Sequence, residues 1–87
     1  MKLDSNFDSL QLAAAAMQGI DTFCKTLCEL QYPYQAGLKE VIQFAHNNRG
    51  TVQESSDQPG VTVIQVGQEK VYCFQLYQDS DRFYYEI

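Results

Sequence analysis

The sequence has no tryptophan, one histidine, two prolines and only six lysines and arginines. The shortage of cations and of histidine narrows the possible functions. Eleven aspartates and glutamates oppose the six cations and leave a net charge of −5. Neutralising a phosphate backbone takes clustered Lys and Arg. The cations here are scattered, so direct nucleic-acid binding is not expected, nor is attachment to an anionic membrane surface. No apolar run approaches the roughly 20 residues of a membrane span. The apolar stretch Ala13 to Ala16 follows Asp4 and Asp8 rather than a positive segment, so it does not read as a secretory signal.

Catalytic signals are equally scarce. There is no Gly-rich phosphate loop, metalloprotease motif, calcium loop or nucleophile elbow. His46, the one histidine, falls in the last turn of a helical pattern, where a cation suits the helix dipole. No third group marks it as half of a Cys–His pair. Asp79 and Asp81 flank Ser80, but Asp and Ser are the expected formers of a turn there. The reading is a non-enzyme with no cofactor.

Three cysteines are present, an odd number. A secreted disulfide framework would be laid out differently, so the expected location is the cytoplasm, with reduced thiols. Cys24 and Cys28 lie one helical turn apart and could occupy two corners of a tetrahedral metal site. Nothing in the spacing brings Cys73 and His46 to the other two. Small buried hydrophobes are the expectation for these thiols, and no metal.

What is present is enough for one folded domain of 87 residues: 45% of the chain is hydrophobic and 20% charged, the proportions of a soluble globular protein. Its helical part runs over about 6–48 and its β part over about 51–87. Ser5 to Asp8 has the spacing of a capping box. Leu10, Ala13, Ala14, Met17, Ile20, Cys24, Leu27 and Cys28 then recur at steps of three and four, predicting a helix from about 6 to 31. A helix of that length would measure about 35–40 Å, long for so small a domain. Gly19 is the expected point of bending or breakage. Small residues at 13–16 and at Gly19 imply close approach of another element.

Tyr32-Pro33-Tyr34 ends this region, because proline breaks the hydrogen-bond ladder and restricts its predecessor. A second helix is predicted over about 35–48, with Leu38, Val41, Ile42 and Ala45 on its apolar face. Asn47 to Gly50 stops it, Asn and Gly being tolerant of the left-handed conformation. Thr51 to Glu54 could form a short edge strand. Val61 to Val66, Lys70 to Tyr77 and Arg82 to Ile87 read as three more strands with no helix between them. The fold class is α+β: two N-terminal helices, the first long and bent or broken at Gly19, packed on a three- to four-stranded antiparallel meander.

The last seventeen residues, VYCFQLYQDSDRFYYEI, hold most of the aromatic side chains. A four-residue turn at 78–81 pairs Tyr77 with Arg82 and Tyr72 with Ile87. Alternation then assigns Tyr72, Phe74, Leu76, Phe83, Tyr85 and Ile87 to the core. Cys73, Gln75, Tyr77, Arg82, Tyr84 and Glu86 are left on the outer face. The preceding hairpin admits two registers. A Gly67-Gln68 turn pairs Val66 with Glu69 and puts Val61 and Val63 on the core face, whereas a three-residue loop pairs Val66 with Lys70 and reverses the faces.

The functional expectation follows from the outer face. Tyr and Arg are enriched at interface hot spots. Gln75, Tyr77, Arg82, Tyr84 and Glu86 are therefore the candidate partner-binding residues of a small acidic protein-binding module of inhibitor, immunity, anti-defence or adaptor type. Its partner would be another protein, one with a basic surface being favoured electrostatically. The alternative is a homodimeric structural or small-ligand-binding domain, paired through outer sheet faces or the C-terminal edge strand.

Overall fold

The computed structural model describes the backbone of residues 3–77 and 80–87, and the side chains of 8–76 and 81–87. Three helices precede a sheet of four strands. The helices are α1 (Leu3–Ala16), α2 (Ile20–Glu29) and α3 (Tyr34–Asn47). The strands are β1 (Thr51–Glu54), β2 (Thr62–Val66), β3 (Glu69–Tyr77) and β4 (Ser80–Glu86), paired antiparallel in chain order as a meander. The α+β class, the short edge strand and the meander agree with the sequence. Among the described residues no helix is long and apolar enough to cross a membrane.

The long first helix is two helices. Gly19 has φ 125°, a conformation that a side chain would resist, and α2 restarts immediately after it. Ser5 lies inside α1, so it does not cap it. The capping-box signal misled because the helix had already begun. Gln31 and Arg49 end α2 and α3 with φ near +60°. At the second end the left-handed residue is therefore Arg49, neither an Asn nor the Gly that the composition favours.

Helices α2 and α3 cover one face of the sheet. From α2 come Ile20, Phe23, Cys24 and Leu27, from α3 Gly37, Val41, Phe44 and Ala45, all buried. Both sets follow the three-to-four spacing of one helix face. The Phe23 and Phe44 rings meet with centroids 4.9 Å apart and join the two helices. Beneath them the sheet presents Ile64, Val71, Cys73 and Phe83. Burying each large apolar side chain here stabilises the fold by roughly 1.5–3 kcal/mol. The packing of α1 is against α2, where Leu12 and Ala15 join the core.

The strand faces overturn the sequence reading, and the cause is local. The hairpin register is Tyr72↔Glu86, Cys73↔Tyr85, Phe74↔Tyr84 and Gln75↔Phe83, yet Tyr77 pairs with Ser80. Between the last two pairs β3 contains only Leu76, while β4 contains Asp81 and Arg82. This is a β-bulge, two residues opposing one, and it shifts the pairing by a single residue. A shift of one exchanges the faces of β3. Val71 and Cys73 therefore point to the helices and are buried, while Tyr72 and Phe74, assigned to the core by the sequence, lie on the other face. Phe83 and Tyr85 face the helices as expected; Ile87 is 77% exposed. The turn residues Gln78 and Asp79 lie outside the described residues.

The error propagates to β2. Its register is the one set by the two-residue Gly67-Gln68 turn, Val66↔Glu69 and Ile64↔Val71, with Gly67 at φ 62° as the turn requires. Because β3 is inverted, Ile64 is in the core and Val63 is outside.

Gly37 fixes the distance between α3 and the sheet. A Cβ placed there would come within 2.6 Å of Phe83 Cγ. Helix propensity alone predicts that Gly37→Ala stabilises the protein by roughly 0.5–1 kcal/mol. Overpacking against Phe83 opposes this, and insertion into a filled core costs roughly 1–3 kcal/mol. The steric effect should win. Gly37→Ala is expected to lower the urea midpoint at unchanged slope, with Ala36→Ser on the exposed side of α3 as control. An increase in midpoint would show that Phe83 yields easily.

Candidate functional site: the uncovered face of the sheet

Strand alternation from the observed register places Val63 on β2, Tyr72 and Phe74 on β3, and Arg82, Tyr84 and Glu86 on β4 on the face away from the helices. Three of the five residues singled out from sequence, Arg82, Tyr84 and Glu86, are thus neighbours on β4, and all three are exposed. Gln75 is not with them. It lies opposite Phe83, on the helix side near the end of the strand. Only the backbone of Tyr77 is described.

Two aromatics missed by the sequence complete the surface. Phe74 meets the Tyr84 ring edge to face, centroids 5.4 Å apart and planes at 71°. Tyr72 lies one step along the strand, half-buried. A hollow of about 640 Å³ opens beside them, lined by Val61, Tyr72, Phe74, Glu86 and Ile87 and closed by Ser55, Asp57 and Gln58 of the β1–β2 loop. On the other side of the chain's last residues a hollow of about 450 Å³ is bounded by Lys25, Cys28 and Glu29 of α2 and by Tyr84, Tyr85, Glu86 and Ile87. The candidate surface is therefore centred on Phe74, Tyr84 and Ile87, away from the β3–β4 turn. A signal for it existed in side-chain size. Val71 and Cys73 suit a space narrowed by Gly37, and a phenol hydroxyl prefers water.

The outer edge of β4 is not open where it passes α2. The Phe83 N–H donates to Tyr32 O at 2.9 Å, and the Cys28 thiol donates to Phe83 O at 3.6 Å. The Tyr85 backbone N–H is a further partner of the Cys28 sulfur. Tyr34 N–H donates to Asp81 Oδ1 at 3.1 Å, and the Tyr85 hydroxyl to Asp21 Oδ1 at 2.5 Å. Pairing of two copies through this edge would have to displace these contacts.

The cysteines converge more than their spacing suggested. Cys24 and Cys73 are fully buried and hydrogen-bonded to each other. All three thiols are free. His46 is exposed at the end of α3. Among the described residues no group of three His, Cys, Asp or Glu is arranged to hold a metal ion.

These surroundings favour the neutral form of several acids. The Cys24 thiol is held far above its ordinary range, first by the hydrogen bond with Cys73 and then by burial. Burial raises Cys28. Burial, then the hydrogen bond to Asp21, raises Tyr85, and burial followed by Glu40 and Asp8 raises Tyr32. A pKa raised on folding contributes stability that is complete below the unfolded value and disappears as pH climbs towards the folded one. The window therefore opens at the thiol value of 9.0 and widens at the phenol value of 10.0. Melting temperature should be level from neutrality to pH 8.5 and fall above pH 9, by roughly 5 °C or more once about 1 kcal/mol is lost. Circular-dichroism melts from pH 7 to 11 test this; a level profile to pH 11 would contradict the assigned environments. The chain matches no family model, no curated protein and no solved structure.

Proposed function

We propose that this protein is a small acidic, non-enzymatic binding module of the cytoplasm, of inhibitor, immunity, anti-defence or adaptor type, that engages another protein through the uncovered face of its C-terminal sheet. The observation that carries this reading is the pairing of Phe74 with Tyr84 on a face that, among the described residues, no helix covers, next to exposed Ile87. An antiparallel sheet with one solvated face normally alternates apolar inside and polar outside. Here the outer side keeps Val63, Tyr72, Phe74 and Tyr84 as an apolar strip among the polar residues Gln53, Gln65, Lys70, Arg82 and Glu86. Such a surface, with Arg82 and Glu86 beside Tyr84, has the composition of an interface centre, where Tyr and Arg dominate the energetics.

Charge adds a direction. A net charge of −5 steers encounter towards a basic partner and repels nucleic acid. The aromatic centre supplies the short-range affinity. Capture should therefore slow with added salt, while dissociation depends mainly on the aromatic contacts.

Affinity capture from the source cells with wild type, Tyr84→Arg and Arg82→Glu tests the assignment. Tyr84 is 38% exposed, so its replacement should cost mainly the edge-to-face contact with Phe74, roughly 0.5–1.5 kcal/mol, and lower the melting temperature by several degrees without unfolding the domain. Tyr84→Arg is expected to weaken the specific partner at least about tenfold, or 1.4 kcal/mol. Arg82→Glu should do so by a smaller factor. If both variants retain the same partner at wild-type strength, the face has been misassigned.

A further inference from the structure

We propose that the outer side of α1 is a self-association surface, on which the α1 of a second copy of this chain lies antiparallel across a two-fold axis. Leu10 on α1 is 70% exposed and falls with Ala13 and Ala14 at i, i+3 and i+4; Met17, in the turn directly after α1, is 89% exposed and extends the same apolar stretch. Ala13 and Ala14, between them, are exposed as well. The other side of α1 is already used, since Leu12 and Ala15 pack on α2. The helix thus carries two apolar sides, and among the described residues only one of them is packed within the chain.

Two observations favour a second copy over an unrelated protein. The first is self-complementarity, which a two-fold interface demands. Reversal about the midpoint of Ala13 and Ala14 brings Leu10 opposite Met17 and Ser9 opposite Gln18. Large apolar side chains meet at the ends, alanines meet at the crossing, and polar flanks meet each other. Small residues at a crossing let two helices approach closely. The second is charge. The chain carries −5, yet residues 9–20 contain no charged side chain at all. Two acidic molecules can approach along this stretch without like charges being pressed together.

A groove gives the second copy somewhere to insert. Beside Ala13 a hollow of about 270 Å³ opens between α1 and α3, its apolar wall formed by Ala16, Phe23, Tyr32 and Phe44 and its polar rim by Glu40 and Gln43. An unbranched methionine adapts to irregular apolar gaps, which suits Met17 of the opposing copy.

Light scattering across a concentration series, from low micromolar to submillimolar, reads the outcome directly. Wild type should rise from 9.9 kDa towards twice that mass. L10E/M17E should stay at the lower mass with an unchanged circular-dichroism spectrum, and Tyr84→Arg should dimerise as wild type does. As an independent measurement, A14C should form a disulfide-linked dimer under mild oxidation, faster than Q35C on α3. The proposal is overturned if wild type stays monomeric throughout, if L10E/M17E still dimerises, or if A14C cross-links no faster than Q35C. Since Tyr84→Arg reports on the sheet face and L10E/M17E on α1, failure here is distinguishable from failure of the proposed partner surface.

Discussion

Phe83 is held from three directions, and the orientation of both outer strands follows from it. Its ring lies against Gly37 of α3. Its N–H is bonded to Tyr32 and its carbonyl to the Cys28 thiol. With Phe83 facing the helices, alternation sends Arg82 and Tyr84 outward. A hairpin without a bulge would then carry Tyr72 and Phe74 under α2 and α3. That space is set by the bare backbone at Gly37, and a buried phenol would need a hydrogen-bond partner there or lose roughly 1–3 kcal/mol. The bulge at Asp81 and Arg82 avoids this by sending the small side chains of Val71 and Cys73 inward. One extra residue thus decides which aromatics build the core and which remain available for binding.

This explains how far the sequence could be read. Elements depend on local signals, and those were legible: apolar spacing in α2 and α3, Pro33 before the third helix, Gly67 in the turn, and the break at Gly19. Faces depend on a relation between strands. On β3 both sides are apolar, so hydrophobicity favours neither Tyr72 and Phe74 nor Val71 and Cys73. A pairing error of one residue there inverts the strand without leaving any sign in composition. On β4 the inward Phe83 and Tyr85 were read correctly because they contrast with Arg82 and Glu86, whereas Ile87, read as core, is 77% exposed, and Ser80 and Asp81, read as turn, belong to the strand. The candidate site was legible to the same extent: Arg82, Tyr84 and Glu86 lie together, whereas Gln75, read from the inverted strand, faces the other way. The meeting of Cys24 with Cys73 was invisible for a related reason, since it joins α2 to β3 across half the chain.

The same contacts that set the faces also protect the β4 edge. A free strand edge is a template for indiscriminate pairing. Here Tyr32 takes the Phe83 N–H and Cys28 the Phe83 carbonyl, while Tyr34 bonds the Asp81 carboxylate near the start of the strand. Cys28 accordingly acts as a hydrogen-bonding plug whose raised pKa keeps it a thiol, able to donate to Phe83 O. Specific association is then left to side-chain surfaces. On the proposed reading, a face carrying Tyr72, Phe74 and Tyr84 would discriminate by shape and aromatic contact, where an open edge would accept any extended segment.

The sheet face and the outer side of α1 share no residue, so occupation of one does not consume the other. A dimer built through α1 would keep two copies of the Phe74–Tyr84 surface. Two linked sites raise apparent affinity for a repeating or symmetric partner by 10²–10⁴ without any new contact, provided the geometry lets both engage. A modest single-site affinity, as expected of a surface with few aromatics, would then suffice for tight binding. The converse also holds. A monomeric partner presenting one site would gain nothing from the dimer, and its affinity would be the same for wild type and for a chain unable to pair through α1.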